Sequence, residues 1–305
     1  MQNSLSCNEK RKISNQSQVV LAEEIIISNK RCVLVQNNKL EVLFNIDNSL
    51  DIVWVKYAGV NISFLSKNGL NEGKGTFLQN FEGGFLYTCG LDNVSSCVED
   101  KHIHGSLHYQ KASKVNISIK DESVYVSADV YQTALFGENF VIHRNFEITA
   151  NDIAISDTVE NYCYKPLKYV LLYHINYGYP FLDEGLELEI PAINSEPLTQ
   201  VAKEKQKEMY DITSPIDNGD ENVYYHTLSK GEIRLTNQKE NISILMKYDT
   251  NDFPYTLEWK SMISGDYALG IEPSLTRFDD FKMKTLKPHE SKNYKIRINF
   301  KEKKL

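Results

Sequence analysis

From Arg31 onward, short runs of alternating apolar and polar residues follow one another, separated by turn-forming pairs. Successive side chains on a strand point to opposite faces, so alternation with period two marks a strand with one buried side. Residues 32–35, 40–46 and 52–57 read as three such strands, and the hairpin-like signals Asn37-Asn38 and Asp47-Asn48 join them into an opening meander. Residues 114–120 and 124–131 alternate about Asp121-Glu122, and 140–149 and 153–161 about Asn151-Asp152. The longest strand-like run in the middle of the chain is 167–177, which Gly178 and Pro180 end. Residues 223–226, 232–236, 242–248, 255–259, 267–271 and 292–300 resume the series. Residues 20–28 fit either a short helix or a strand.

The segments between the runs are of several kinds. Residues 65–75 are rich in glycine and asparagine and read as a loop, and 284–289 as a turn region. Residues 191–222 are polar and irregular, with 203–208 a candidate short helix, and so long an excursion is a candidate cover for a site. Residues 1–19 look like a loose leader, and 20–305 like a single domain without a repeat or a break in composition. Neither βαβ alternation nor a long amphipathic helix is present. Many short strands joined by turn residues predict an all-β fold, a sandwich or a barrel.

Composition narrows the function classes. A hydrophobic fraction of 41% can supply a sizeable core, and 18 Tyr with 13 Phe favour strands. A net charge of −7 without a basic block argues against nucleic acid or an anionic membrane as partner. Cys7, Cys32, Cys89, Cys97 and Cys163 are scattered and odd in number, which does not suit a disulfide framework. The first 18 residues lack the apolar core of a signal peptide, and no stretch is apolar enough to span a bilayer. The expected compartment is the cytoplasm, so the sequons at Asn61 and Asn116 read as chance.

Candidate chemistry lies in a few of these runs. Along 267–271, Ala268, Gly270 and Glu272 share one face, which has almost no bulk before it reaches a carboxylate. Pro273 is expected to stop ladder pairing there and hold Glu272 extended. The result is a shallow floor with an acid at its edge, against which a small polar ring can lie. In Tyr173-His174-Ile175-Asn176-Tyr177-Gly178, His174 and Asn176 share a face while Tyr173, Ile175 and Tyr177 point to a core. A histidine titrates near neutrality and can donate a proton to a reacting oxygen, although a buried structural histidine has the same signature. His102, His104 and His108, with Cys89 and Cys97 upstream, match no closed zinc spacing, so no metal is expected. His104-Gly105 fits a loop histidine that contacts a polar ligand. Arg144 can fork onto a carboxylate or vicinal hydroxyls, or simply make an internal ion pair. Trp259 can stack on a sugar ring or belong to the core. A nucleophile elbow, a P-loop and a dinucleotide fingerprint are all missing.

Several blocks occur together in a set order: Glu82-Gly83-Gly84, Thr88-Cys89-Gly90-Leu91-Asp92-Asn93, His104-Gly105, Phe136-Gly137 with Arg144, Tyr173 to Pro180, Trp259, and Gly270-Ile271-Glu272-Pro273. In that order, from about Arg31 to the C-terminus, they resemble the galactose mutarotase-like superfamily, and most of all its bacterial branch of aldose 1-epimerase family proteins with a domain of unknown function. The resemblance implies a large twisted β-sandwich with few short helices and a sugar cleft on one sheet. It implies His174 as general acid and Glu272 as general base. It implies His104 as a substrate contact, with Asn176, Arg144 and Trp259 beside it, a small-molecule sugar as partner and no cofactor. The chain departs from the branch after His104-Gly105, where Leu107 and His108 stand in place of an expected arginine. That departure bears on which sugar is bound. The alternatives are a carbohydrate-binding or regulatory protein without turnover, and an isomerase or lyase for an unusual or phosphorylated sugar. The last would need cations in the cleft, for which Arg144, Arg234 and Arg277 are the candidates.

Overall fold

A computed structural model describes residues 20–71, 76–94 and 103–303. The leader 1–19 and the residues His102 and Cys97 lie outside the described residues.

The described chain is all-β, with three antiparallel sheets and two short α-helices. Five strands from Leu21–Ile27 to Val60–Asn61 form a meander in sequence order. The run at 20–28 is therefore a strand, paired along its length with Lys30–Gln36. An eight-stranded sheet is built on Ala112–Lys120, Ser123–Thr133, Asn139–Ile148 and Asp152–Asn161, continued by Ser291–Glu302. In the seven-stranded sheet, Asn222–Leu228, Tyr255–Ile263, Asp266–Ser274 and Leu167–Gly178 lie side by side, and Leu86–Leu91 pairs with the last of them. Both smaller sheets pack on the eight-stranded one, through pairs such as Phe44–Phe146, Tyr57–Phe300 and Tyr169–Tyr294. The main hydrophobic cluster runs from Val20 to Phe300, and a small second one joins Cys32, Leu43 and Val53 in the meander. No helix among the described residues is long and apolar enough to cross a membrane.

Three local readings of the sequence change. Residues 284–286 form a short strand against Leu167–Tyr169 rather than only a turn. The strand carrying Glu272 does not stop at Pro273: it runs to Ser274, and Pro273 pairs with Thr256. Proline lacks a donor but keeps its carbonyl, so one neighbour can still pair with it. On the other side the ladder joins Leu172 to Ser274 and Ile175 to Ile271 and omits the two rungs between. The third change concerns the excursion, which opens with an edge strand, Ala192–Pro197, paired with Asn222–Leu228, and whose short helix is Gln200–Glu204 followed by a turn of 3₁₀ helix. It packs on the reverse of the seven-stranded sheet. Lys260 Nζ donates there to the carbonyls of Glu208, Met209 and Asp211, Tyr224 Oη to that of Lys205, and Tyr267 Oη to that of Thr213.

Candidate active site

Three neighbouring strands present one row of side chains above the sheet. Asn176 lies opposite Gly270, and Gly270 opposite Trp259. One row along, the same faces carry His174 and Glu272. His174 Nε2 lies 3.1 Å from Glu272 Oε1, and both side chains are buried. Gly270 makes this approach possible. A Cβ built there would stand 2.8 Å from Glu272 Oε1, 3.0 Å from His174 Cε1 and 3.2 Å from Trp259 Cε3. The bare floor expected from 268–272 is therefore present, and its emptiness is occupied by the acid and the imidazole.

Burial governs the charge of this pair. It pushes the Glu272 carboxyl well above the ordinary carboxylate range, and the negative charge of Glu221 adds to the effect. It pushes the His174 imidazole well below its ordinary value, with His104 close by acting in the same direction. Both shifts favour neutral forms. With both groups in these forms, the pair is a carboxylic acid beside a neutral imidazole and carries one titratable proton between them. Transfer of that proton between the two groups produces a carboxylate and an imidazolium without changing the net charge.

The remaining polar groups surround the pair. Asn176 Nδ2 donates to the carbonyls of Gly84 and His174 at 2.9 and 3.3 Å. Its position fixes the amide, and the Gly83-Gly84 turn supplies the acceptor with positive φ at both glycines. Neither Asn176 Oδ1 nor His174 Nδ1 makes a hydrogen bond of ordinary geometry among the described residues, although Asn176 lies near enough to favour the charged imidazole in part. Buried polar atoms in that state are free to meet a ligand. His104 enters from its loop with φ of 64° and places its ring 5.6 Å from that of His174. Its Nδ1 lies 3.1 Å from the Val94 carbonyl, and burial lowers its pKa to about 4, so it is neutral.

Aromatic rings form the walls. Phe81 lies 5.4 Å from the His174 ring and 6.2 Å from Trp259, and Phe77 lies 4.8 Å from His104. Phe278 faces His104 from a further side at 6.3 Å. At the mouth, Trp259 Nε1 donates to Glu221 Oε2 at 2.8 Å.

The structure thus brings together His174, Glu272, Asn176, His104 and Trp259. Arg144 is elsewhere. It lies on the reverse face, fully buried, and donates to Asp157, Asp51, Thr88 Oγ1 and the Ser49 carbonyl. Tyr173, which points away from His174, donates to Asp157 in the same cluster. All of the guanidinium's donor nitrogens are engaged there, so its internal ion-pair reading is the one this geometry fits. Its neighbour His108 lies between Asp51 and Glu82 and is stacked on Tyr87 at 3.7 Å. Those carboxylates outweigh burial and raise its pKa to about 9. Of the other arginine candidates, Arg234 faces Glu189 on the eight-stranded sheet, and Arg277 is held by Glu196 and Asp279. Sequence reasoning missed Phe77, Phe81, Phe278 and Glu221. The capping-box pattern of Thr76 and Gln79 could have marked the turn that carries the first two. Nothing in the sequence marks Glu221.

A family model described as a domain of unknown function, DUF4432, matches residues 28–300. No curated protein matches the chain. Among solved structures, a protein from Klebsiella pneumoniae, provisionally named an aldose 1-epimerase, superposes with a TM-score of 0.83 at 16% identity. That match covers 95% of this chain and 85% of the other. A galactose mutarotase-like protein from Clostridium acetobutylicum gives 0.69 at 17% identity, over 93% and 99%. A second provisionally named aldose 1-epimerase, from Escherichia coli, gives 0.61 at 13%, over 94% and 100%. At these identities the likeness is one of fold, and the fold is the galactose mutarotase-like sandwich.

Proposed function

The chain belongs to the DUF4432 family, and from its mutarotase-like fold and the geometry of its cleft we propose that it is an aldose 1-epimerase, interconverting the α and β anomers of an aldose. The observation that carries the proposal is the contact of His174 Nε2 with Glu272 Oε1 at 3.1 Å on a bare floor. The two oxygens that exchange protons in mutarotation, the anomeric hydroxyl and the ring oxygen, are bonded to the same carbon. An acid and a base that stand side by side, as these two groups do, can serve both.

The steps conserve protons. Glu272, as carboxylate, takes the proton of the anomeric hydroxyl. His174, as imidazolium, gives one to the ring oxygen. The bond between C1 and the ring oxygen breaks as the C1 carbonyl forms. The aldehyde end rotates about C1–C2, and the reverse transfers close the ring on the opposite face. After opening, the pair is a carboxylic acid and a neutral imidazole, which are the forms burial favours. Asn176 Oδ1 and neutral His104 are placed to hold ring hydroxyls, and Trp259 to take a C–H face.

The test is anomer exchange followed by NMR across a panel of free aldoses, with Glu272→Gln in parallel. General acid–base work of this kind is worth about 10²–10⁴-fold per group. A sugar whose exchange the wild type accelerates, and the variant does not, supports the proposal. A panel without acceleration, with sugars still bound, makes the chain a carbohydrate-binding module instead.

A further inference from the structure

The cleft is polar at its floor and aromatic above it. His174, Glu272, Asn176 and His104 lie low, while Phe81 stands over His174 and beside Trp259, with Phe77 against it at 5.1 Å. Phe81 is half-buried, yet His174 and Glu272 beneath it are 4% and 2% exposed. A sugar on the pair would lie within reach of the Phe81 ring, 5.4 Å from that of His174. The mouth carries a negative group, since Glu221 is hydrogen-bonded to the Trp259 indole and its charge is felt at Glu272.

We propose that the cleft selects an uncharged aldose, that Phe81 is the specificity-determining residue that packs on one C–H face of its ring, and that Glu221 repels sugars bearing a phosphate or carboxylate. This rests on the sugar-site reading above and narrows it. The physical case has an attractive and a repulsive part. A pyranose offers patches of axial C–H groups that match an aromatic face, as Phe81 and Trp259 present two ring surfaces at 89° to each other. A second anion at the mouth would stand beside the exposed Glu221 carboxylate, and like charges repel more strongly at a protein surface than in bulk water. Discrimination by such a repulsive element is as effective as an added contact. Where the hydroxyls meet the floor, Asn176 Oδ1 and His174 Nδ1 are unpaired acceptor or donor positions that an uncharged polyol can satisfy.

The chain has two tryptophans, Trp54 and Trp259. In a Trp54→Phe background, the emission of Trp259 reads occupancy of the cleft whether or not turnover occurs. We would titrate that protein with D-galactose, D-galactose 6-phosphate and D-galacturonate, together with their C4-epimeric gluco counterparts. The expected result is that each neutral sugar binds at least about tenfold more tightly than its charged partner, a gap of about 1.4 kcal/mol. Glu221→Gln should narrow that gap, and Phe81→Ala should weaken neutral-sugar binding about tenfold. Phe81→Leu, which keeps bulk but not the ring, should fall between them, and a thermal melt of each variant shows that it is folded. Tighter binding of the phosphate or carboxylate sugars overturns the inference and leaves the sugar site standing. Neutral preference that survives Phe81→Ala with unchanged affinity removes Phe81 from the role. A panel that leaves Trp259 emission unmoved overturns the sugar-site reading, and this inference with it.

Discussion

Gly270→Ala is the sharpest perturbation the geometry offers. The glycine's backbone lies outside the left-handed region, so an alanine meets no conformational strain. The added methyl carbon instead enters the space between three functional groups. Ordinary van der Waals contact begins near 3.4 Å. Glu272 Oε1 would have to retreat by about 0.6 Å, the His174 ring by about 0.4 Å and the Trp259 ring by about 0.2 Å, from the distances of 2.8, 3.0 and 3.2 Å. Each of these is a side-chain atom, so the strand itself can keep its register. Misplacement by about 1 Å costs catalysis about 10²-fold. Displacements of roughly half that size in the acid and the base together should lower kcat/KM by about 10- to 100-fold. The melting temperature should stay within a few degrees of wild type, because restricting a glycine also removes freedom from the unfolded chain. Anomer exchange measured by NMR gives the rate, and a thermal melt gives the control. A variant with unchanged kcat/KM and unchanged Trp259 emission would refute the claim that the bare floor positions the pair.

Three further outcomes follow from the charge placement. The pH profile of kcat/KM should be a broad plateau without a limb near the ordinary histidine value. The acid limb needs a second proton on the pair and is moved down by the lowered His174 pKa, while the alkaline limb needs loss of the only proton and is moved up by the raised Glu272 pKa. Glu221→Gln should bring the alkaline limb down, and a wild-type limb near pH 6.5 would contradict the scheme. Arg144→Ala should destabilise the fold by about 3–5 kcal/mol in denaturant unfolding, because Asp51 and Asp157 would stay buried without their cation. A stably folded variant with weakened sugar binding would return Arg144 to the cleft. The charged form of His108 is favoured by folding, since its pKa rises to about 9. Its contribution to stability is complete below the unfolded value of about 6.5 and is lost as pH rises through about 9. Thermal melts between pH 7 and 10 should show wild type losing more than His108→Gln.

The strand pattern was largely readable because alternation and turn pairs are local signals. The second, third and fourth strands of the meander, and those around Asp121-Glu122 and Asn151-Asp152, sit where alternation places them. The face assignments along 173–177 and 268–272 were also readable, since period two determines them once a strand is assumed. What alternation does not carry is which strands become neighbours. Arg144 illustrates this. Its residue type suits either a ligand or an ion pair, and only the packing of its sheet on Asp51 decides where the guanidinium goes. Pro273 illustrates a weaker rule, because a missing donor matters only on the side where that donor would be used. Phe81 and Glu221 come from irregular segments whose side chains obey no period. The excursion at 191–222 looked like a cover from its length and polarity alone, and neither property says which face of a sheet it will meet.

That excursion has a consequence for how the protein can vary. It is tied to the edge of the sheet by strand Ala192–Pro197, and its further anchors, the Lys260 ammonium beneath three carbonyls and the tyrosine hydroxyls beside it, are on the far side of the sheet from the cleft. On the cleft side of the sheet it shows Glu196 of its edge strand, which holds Arg277, and Glu221 at the mouth. The segment therefore works as a bracket bolted from behind and along one edge, holding Glu221 in front. Its length and sequence between the bolts can drift while the floor of the cleft stays as it is. The carboxylate it carries to the mouth can be exchanged to retune which ligands are admitted, without disturbing the machinery below.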